Sequence, residues 1–410
     1  MKVVVVGSGG REHALAAVLA RTAEVVVTPG NPAIPGSVAT SVTDLVADGS
    51  VDLVVFGPEQ PLVAGQADRL RAKGVRVFGP GADGAKLEGS KAYMKMICEE
   101  AALPTARWEA FTDADDAQAY LATMDPPYVI KTDGLAAGKG VLVTESLADA
   151  ASDVEAKLGG GTFGDAGRRV VIEEGLTGRE VSVFAICDGT RAVCLPAAQD
   201  FKRVGDGDAG PNTGGMGAWS PLPFVPEGFE DEVARTFIEP TLAELRQRGI
   251  DYRGVLYAGL MLTADGPKLI EYNVRFGDPD SQVVLLRMTS DLAALLAAAA
   301  DGDLSTVPAP TFADETAVLV VAASEGYPVS PRTGDAITGI DEAEAIDGVT
   351  VLGAGVSRRD QSLVTAGGRV LNVVGTGPDL ATARARAYEG VSRISWPGEH
   401  HRTDIAADPA

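Results

Sequence analysis

Short β-branched runs alternate with helical spacing over the first hundred positions of this 410-residue chain. Residues 2–6, 25–28, 52–58 and 75–80 read as strands, and the segments between them read as helices. Such βα alternation predicts a parallel sheet covered on both faces, in a domain spanning about residues 1–102. A helix beginning at Gly89-Ser90-Lys91 then runs to a break at Pro104. From 103 to about 190 the pattern changes to short apolar runs broken by glycine-rich loops: YVIKTDGLAAGKGVLV, GGGTFGDAG and VVIEEGLTGREVSVFAI. These predict a small antiparallel α+β unit with mobile flaps, a lid over about 121–187. The stretch to 308 adds the loop GPNTGGMGA, a helix over 227–248 and a hairpin that turns at Asp265-Gly266. Past the proline-containing segment 306–311, residues 309–410 carry three further strand runs and a helix near 379–394, predicting a separate β-rich domain. The fold class is therefore multidomain, α/β followed by α+β, with two antiparallel subdomains in the middle.

The strand that closes the hairpin ends in LIEYNVRFGDPDSQ (269–282). Alternation along a strand puts Glu271, Asn273 and Arg275 on one face. A carboxylate and an amide oxygen suit a hard cation, and a guanidinium beside them suits phosphate oxygens. A solvated Glu–Arg surface pair would be the bland reading of E-x-N-x-R alone. The next turn, Phe276-Gly-Asp-Pro-Asp280, adds two more carboxylates that a structural turn does not need.

Other motifs are less specific one by one. GSGGREHAL (7–15) lacks the third glycine of a dinucleotide fingerprint, since Glu12 stands there, and no acid ends the second strand. What remains is a glycine turn at a helix start, where backbone N–H groups can meet a phosphate. His13 reads as structural, as do His400 and His401 in the tail. Gly134–Gly140 fails the P-loop spacing and has Gly140 where Ser or Thr would be needed, so it reads as a flap over a nucleotide. Lys131 at a strand end and Lys91 at a helix start could each reach phosphate or solvent. Residues 171–176 end an apolar strand with Glu173, Glu174 and Gly175, a crossing that can offer backbone groups to an adenine edge, with Glu180 near the ribose hydroxyls. The glycines of 208–218 permit close backbone approach to a ligand.

Composition narrows the classes further. A net charge of −22 argues against nonspecific binding to nucleic acid or acidic membranes, so any anionic substrate must be met by locally placed cations. No apolar run is long enough for a membrane span, and the N-terminus has no signal-peptide pattern. Three cysteines without metal-ligand spacing fit reduced thiols in a cytoplasmic protein.

Taken in order, GSGGREHAL, GPEQPLVAG, LEGSKAYMK, VIKTDGLAAGKGV, VIEEGLTGREVS, QDFKR, GPNTGGMGAWSP and LIEYNVRFGDPDSQ closely resemble the phosphoribosylamine–glycine ligase family of the ATP-grasp superfamily. The resemblance runs almost end to end, and GGREHAL and GPNTGGMGA are its narrowest motifs. It implies a pre-ATP-grasp domain at 1–102, an ATP-grasp domain at 103–308 and a C-terminal domain at 309–410. ATP with Mg2+ or Mn2+ would be held by Lys91, Lys131, Gly138, Lys139, Gly140, Glu173, Glu174, Gly175, Leu176, Thr177, Glu180, Arg203 and Asn212. Glu271 and Asn273 would bind the metal. Arg275, on the transferring phosphate, would be catalytic together with Lys131 and Asp278. Gly9, Gly10, Arg11, Glu12, Pro58, Glu59, Thr213, Gly214, Gly215 and Arg275 would face phosphoribosylamine. Small-molecule substrates, a monomer and no nucleic-acid or membrane partner complete the expectation. Phe201 departs from the usual His of the family and Asp280 from its usual Glu. The rival readings are another ATP-grasp carboxylate–amine ligase, a nicotinamide-dependent oxidoreductase and a nucleotide-binding regulator without catalysis.

Overall fold

The computed structural model describes residues 1–135, 140–159 and 168–407. The early β-branched runs pair as a four-stranded parallel sheet, in the order Glu24–Pro29, Lys2–Gly7, Leu53–Phe56, Val77–Phe78. Val3, Val4, Val5, Val54 and Val55 are wholly buried, which is why these strands are apolar throughout rather than alternating. The expected flaps at 136–139, with Gly138 and Lys139, and at 160–167 lie outside the described residues.

Two antiparallel sheets make up the middle of the chain. One runs Ala192–Cys194, Arg179–Asp188, Arg253–Thr263, Gly266–Asn273. The other, the lid sheet, runs Trp108–Phe111, Val170–Glu174, Tyr128–Thr132, Val141–Thr144. The predicted hairpin is present, but Thr263 pairs with Gly266, so its turn is Ala264-Asp265. Gly266 opens the return strand at φ +105°, a conformation that glycine adopts without a Cβ penalty. The helix Lys91–Glu100 starts where expected. Ser90 caps it by accepting the Tyr93 N–H at 3.1 Å, and its hydroxyl donates to Asp133 Oδ1 at 2.8 Å. One serine thus fixes the helix start and ties it to the loop after Lys131.

Val356–Arg359 and Ser362–Thr365 pair as a two-stranded ribbon, but the three longer C-terminal strands do not form a sheet of their own. Gln199–Asp200 and Gly217–Ser220 join Thr316–Ala323, Arg369–Gly377 and Val349–Gly353 in one five-stranded sheet. Thr316–Ala323 pairs antiparallel with Gly217–Ser220, a partner far upstream that local patterning cannot reveal. Helix Leu380–Arg393 buries Ala383, Ala387 and Val391 and packs against Arg369–Gly377. Cys187 and Cys194 lie on paired neighbouring strands, and burial pushes both thiols up, Cys194 to about 12. They are inert thiols rather than nucleophiles.

His13 is structural. Its Nδ1 accepts the Gly353 N–H at 2.8 Å, beside Asn31, whose Nδ2 donates to the Gly353 and Ala354 carbonyls at 3.2 and 3.1 Å. Burial lowers its pKa from 6.5 to about 4, so it is neutral at pH 7. The unfolded chain therefore binds the extra proton first. This contribution is complete above about pH 6.5 and is lost as pH falls toward 4, by roughly 3 kcal/mol in all. His13→Asn keeps an acceptor near the same place and cannot titrate. Urea midpoints measured from pH 7 to 4 should fall less steeply for that variant, and slopes equal to wild type would clear His13 of the effect.

Candidate active site

A cavity of about 880 Å³ opens where the N-terminal domain, both antiparallel sheets and the five-stranded sheet meet. Strand Gly266–Asn273 delivers Glu271 and Asn273 to its wall, and Arg275 follows just past the strand end. Arg275 Nη2 lies 3.4 Å from Asn273 Oδ1, so the three side chains converge as alternation predicted. The guanidinium is gripped from the other side by Glu88, at 2.8 Å, and by Glu59, at 3.4 Å. Burial alone would lower the arginine pKa, but Glu88 and Glu59 outweigh it and raise it further. Glu88 also accepts the Val274 N–H at 2.8 Å. Burial would likewise raise Glu271, yet Lys202, Lys131 and Lys91 hold it below the ordinary glutamate value.

Both sequence-predicted lysines reach the cavity. Lys91 Nζ donates to the Gly134 carbonyl at 3.2 Å. Lys131 Nζ lies 2.7 Å from Glu173 Oε1 and donates to the Ile270 carbonyl at 3.2 Å. Glu173 Oε2 meets a second lysine, Lys95, at 2.7 Å, so this carboxylate is engaged by two cations rather than left free for a ligand. At the expected adenine edge, the Glu174 and Gly175 N–H groups donate to the Arg107 and Pro127 carbonyls, both at 2.9 Å. Any backbone donor offered there must come from further along. Glu174, Gly175 and Leu176 line the cavity, whereas Thr177 is exposed and does not. Gly140, Glu180, Arg203 and Asn212 are on the wall. Glu180 pairs with Lys202, and Arg203 donates to the Gly210 carbonyl at 2.8 Å.

Arg11, Glu59, Thr213, Gly214 and Asp278 also line the cavity, while Gly9, Gly10, Pro58 and Gly215 do not. Glu12 departs from expectation. Its side chain is buried between Gly7 and Gly57, where any β-carbon would collide with it, and its Oε2 accepts the Gly9 N–H at 2.5 Å. The glycines of the first turn therefore make room for a carboxylate that caps the helix from within. Asp278 is held by Arg369, at 3.3 Å, and by Gln282, at 2.8 Å. Burial would raise its pKa, but Arg369 and Arg11 keep it lowered.

Several participants escaped sequence reasoning. Arg369 donates to the carbonyls of Gly214 at 2.6 Å and Asp278 at 2.7 Å, and Tyr327 OH accepts the Gly214 N–H at 3.0 Å. These two C-terminal residues clamp the 213–215 loop, and only the shared sheet brings them there. Glu88 was visible only as part of LEGSKAYMK. Asp200, 3.5 Å from Lys202, is pushed up to about 7 by burial, with Asp280 and Glu180 adding to it and Lys202 opposing. Phe201 lines the cavity, its ring 5.2 Å from the Arg402 guanidinium carbon.

Two antiparallel sheets closing on a cleft with a lysine pair, a Glu–Asn pair and an arginine define an ATP-grasp protein. Family models match almost the whole chain: phosphoribosylglycinamide synthetase N domain over residues 1–88, ATP-grasp (A) domain over 89–281 and C domain over 317–408. The chain belongs to the phosphoribosylglycinamide synthetase family. It is 47% identical to the phosphoribosylamine–glycine ligase of Brucella melitensis, over 99% of this chain and 97% of that protein. With the ligase of Streptomyces coelicolor it shares 49% identity over the full length of both. Among solved structures, the phosphoribosylamine–glycine ligase of Thermotoga maritima superimposes with a TM-score of 0.86 at 34% identity, covering 99% of this chain and all of that one. The biotin carboxylase domain of Hydrogenobacter thermophilus 2-oxoglutarate carboxylase shares the fold at 14% identity, with a TM-score of 0.74 over 98% of this chain and 91% of that one.

Proposed function

We propose that the protein joins glycine to 5-phosphoribosylamine with cleavage of ATP to ADP and phosphate, yielding glycinamide ribonucleotide for purine biosynthesis. The end-to-end family match carries this reading, and the convergence of Lys91, Lys131, Glu271, Asn273 and Arg275 on one cavity fits its chemistry. A carboxylate is a poor acyl donor because oxide would have to leave. Transfer of the γ-phosphoryl group to glycine gives glycyl phosphate, and the amine of phosphoribosylamine then displaces phosphate. No protein nucleophile is required. The protein's tasks are to position the reactants, neutralise charge and exclude water.

In this reading Lys91 and Lys131 meet the phosphates, Arg275 and Asp278 face the transferring group, and the 174–180 segment with Arg203 and Asn212 borders the nucleotide. Arg11, Glu59 and the 213–215 loop border phosphoribosylamine. Glu271 and Asn273 offer hard oxygen donors, and no group of three His, Cys, Asp or Glu among the described residues makes a closed metal cage. That donor set fits a magnesium or manganese ion that takes its remaining ligands from water and phosphate, and such an ion would offset charge on the phosphate oxygens. The proposal keeps domains at 1–102, 103–308 and 309–410, and a cytoplasmic monomer acting on small molecules. Among the described residues no helix is long and apolar enough to cross a membrane.

ADP release is the test, with magnesium–ATP, glycine and freshly generated phosphoribosylamine each omitted in turn. Release that requires both glycine and the amine is expected. A requirement for a different acid or amine would leave ATP-grasp ligation standing and remove this specificity. No ADP from any combination, despite ATP binding, would mark a regulator instead.

A further inference from the structure

Lys95 is a charged side chain with no exposure to solvent, on the helix that begins with Lys91 but behind the cavity wall. Its ammonium lies 2.7 Å from Glu173 Oε2 and donates to Thr105 Oγ1 at 2.8 Å. The Thr105 hydroxyl donates in turn to the Leu269 carbonyl at 2.7 Å. On the other side of Glu173, Lys131 reaches the Ile270 carbonyl of that same strand. The contacts close a ring that joins two lid-sheet strands to the strand bearing Glu271 and Asn273. Stability alone does not account for Lys95. A methionine would fill much the same volume, and Glu173 would still keep Lys131 at 2.7 Å as its cation rather than being left unpaired. Its charge, however, changes what the cavity presents. Two ammonium groups share one carboxylate, so the three groups together keep one net positive charge, and Lys131 presents it on a cavity wall that Glu173 and Ile270 also line.

We propose that Lys95 is a positioning residue for ATP: by occupying one oxygen of Glu173 it leaves Lys131 with surplus positive charge for the phosphates. Without Lys95, Glu173 and Lys131 form a neutral pair, and an incoming phosphate must compete with a buried carboxylate for the lysine. Burial works against ionisation of Glu173, yet Lys131 and Lys95 together hold its pKa below the ordinary glutamate value. The proposal rests on reading the cavity as the ATP site.

The test compares the full-length wild type with K95M and the double variant K95M/E173Q, by ATP titration calorimetry and steady-state ADP formation. K95M should bind ATP about tenfold more weakly, with kcat and the KM for glycine changed by less than about threefold. Adding E173Q removes the competing carboxylate and should restore ATP affinity to within about threefold of wild type. Unchanged ATP affinity in K95M would overturn the proposal. So would parallel losses for ATP and glycine, or a double variant that binds no better than K95M. Should K95M fail to fold, K95Q, which keeps a donor toward Thr105, carries the same expectation and the same refutation. A wild-type protein that binds no ATP would instead overturn the functional reading itself.

Discussion

Replacing Glu271 by glutamine is expected to lower turnover roughly 10²–10³-fold while the chain still folds cooperatively. The substitution keeps the size of the side chain and its place on the strand, and removes one negative charge from the cavity wall. That charge is set among Lys202, Lys131 and Lys91, which keep Glu271 ionised despite burial. Its loss leaves Asn273 as the remaining neutral donor of the pair, too weak alone to compete with water for a small divalent ion. The sign of the defect distinguishes this from general damage. Activity of E271Q should rise with added manganese well past the concentration that saturates wild type, whereas a folding defect would not respond to metal. Near-normal rates across the whole metal titration would overturn the assignment.

Glu271, Asn273 and Arg275 were legible because alternation on a strand is a strong local rule, and the hairpin before them fixed which segment was the strand. The parallel N-terminal sheet was legible for a similar reason, since strands buried on both faces give unbroken β-branched runs. What the sequence hid was non-local. The five-stranded sheet is assembled from 199–220 and 316–377, and no periodicity reports such a pairing. Arg369, which clamps both the 213–215 loop and Asp278, reads locally as one more charged residue at a strand start. Glu12 shows the opposite case. A glycine turn suggested open backbone donors, but the glycines at 7 and 57 make room for its own carboxylate, which takes the Gly9 N–H for itself. Glu173 was placed at the nucleotide from its position in the chain. That two lysines hold its carboxylate depends on Lys95 and Lys131, which come to it from a helix and a strand remote in sequence.

Arg275→Met should remove turnover by about 10³-fold and also destabilise the protein by roughly 3–5 kcal/mol. Two separate causes are at work. The rate falls because no guanidinium remains to neutralise the phosphoryl group. Stability falls because Glu88, with a side chain only 9% exposed, loses its nearest cation and keeps one backbone N–H as compensation. Glu59, supplied by the N-terminal domain, loses the same partner, so the weakening falls on the seam between that domain and the strand Gly266–Asn273. Adding E88Q to R275M separates the two effects. Glutamine at 88 removes the stranded charge and can still accept from Val274, so the urea midpoint should recover most of its loss while turnover stays low. Recovered turnover in the double variant would show that Arg275 acts only by neutralising Glu88. A single variant as stable as wild type would show that the buried pair contributes nothing net, and that the cluster exists for the chemistry alone.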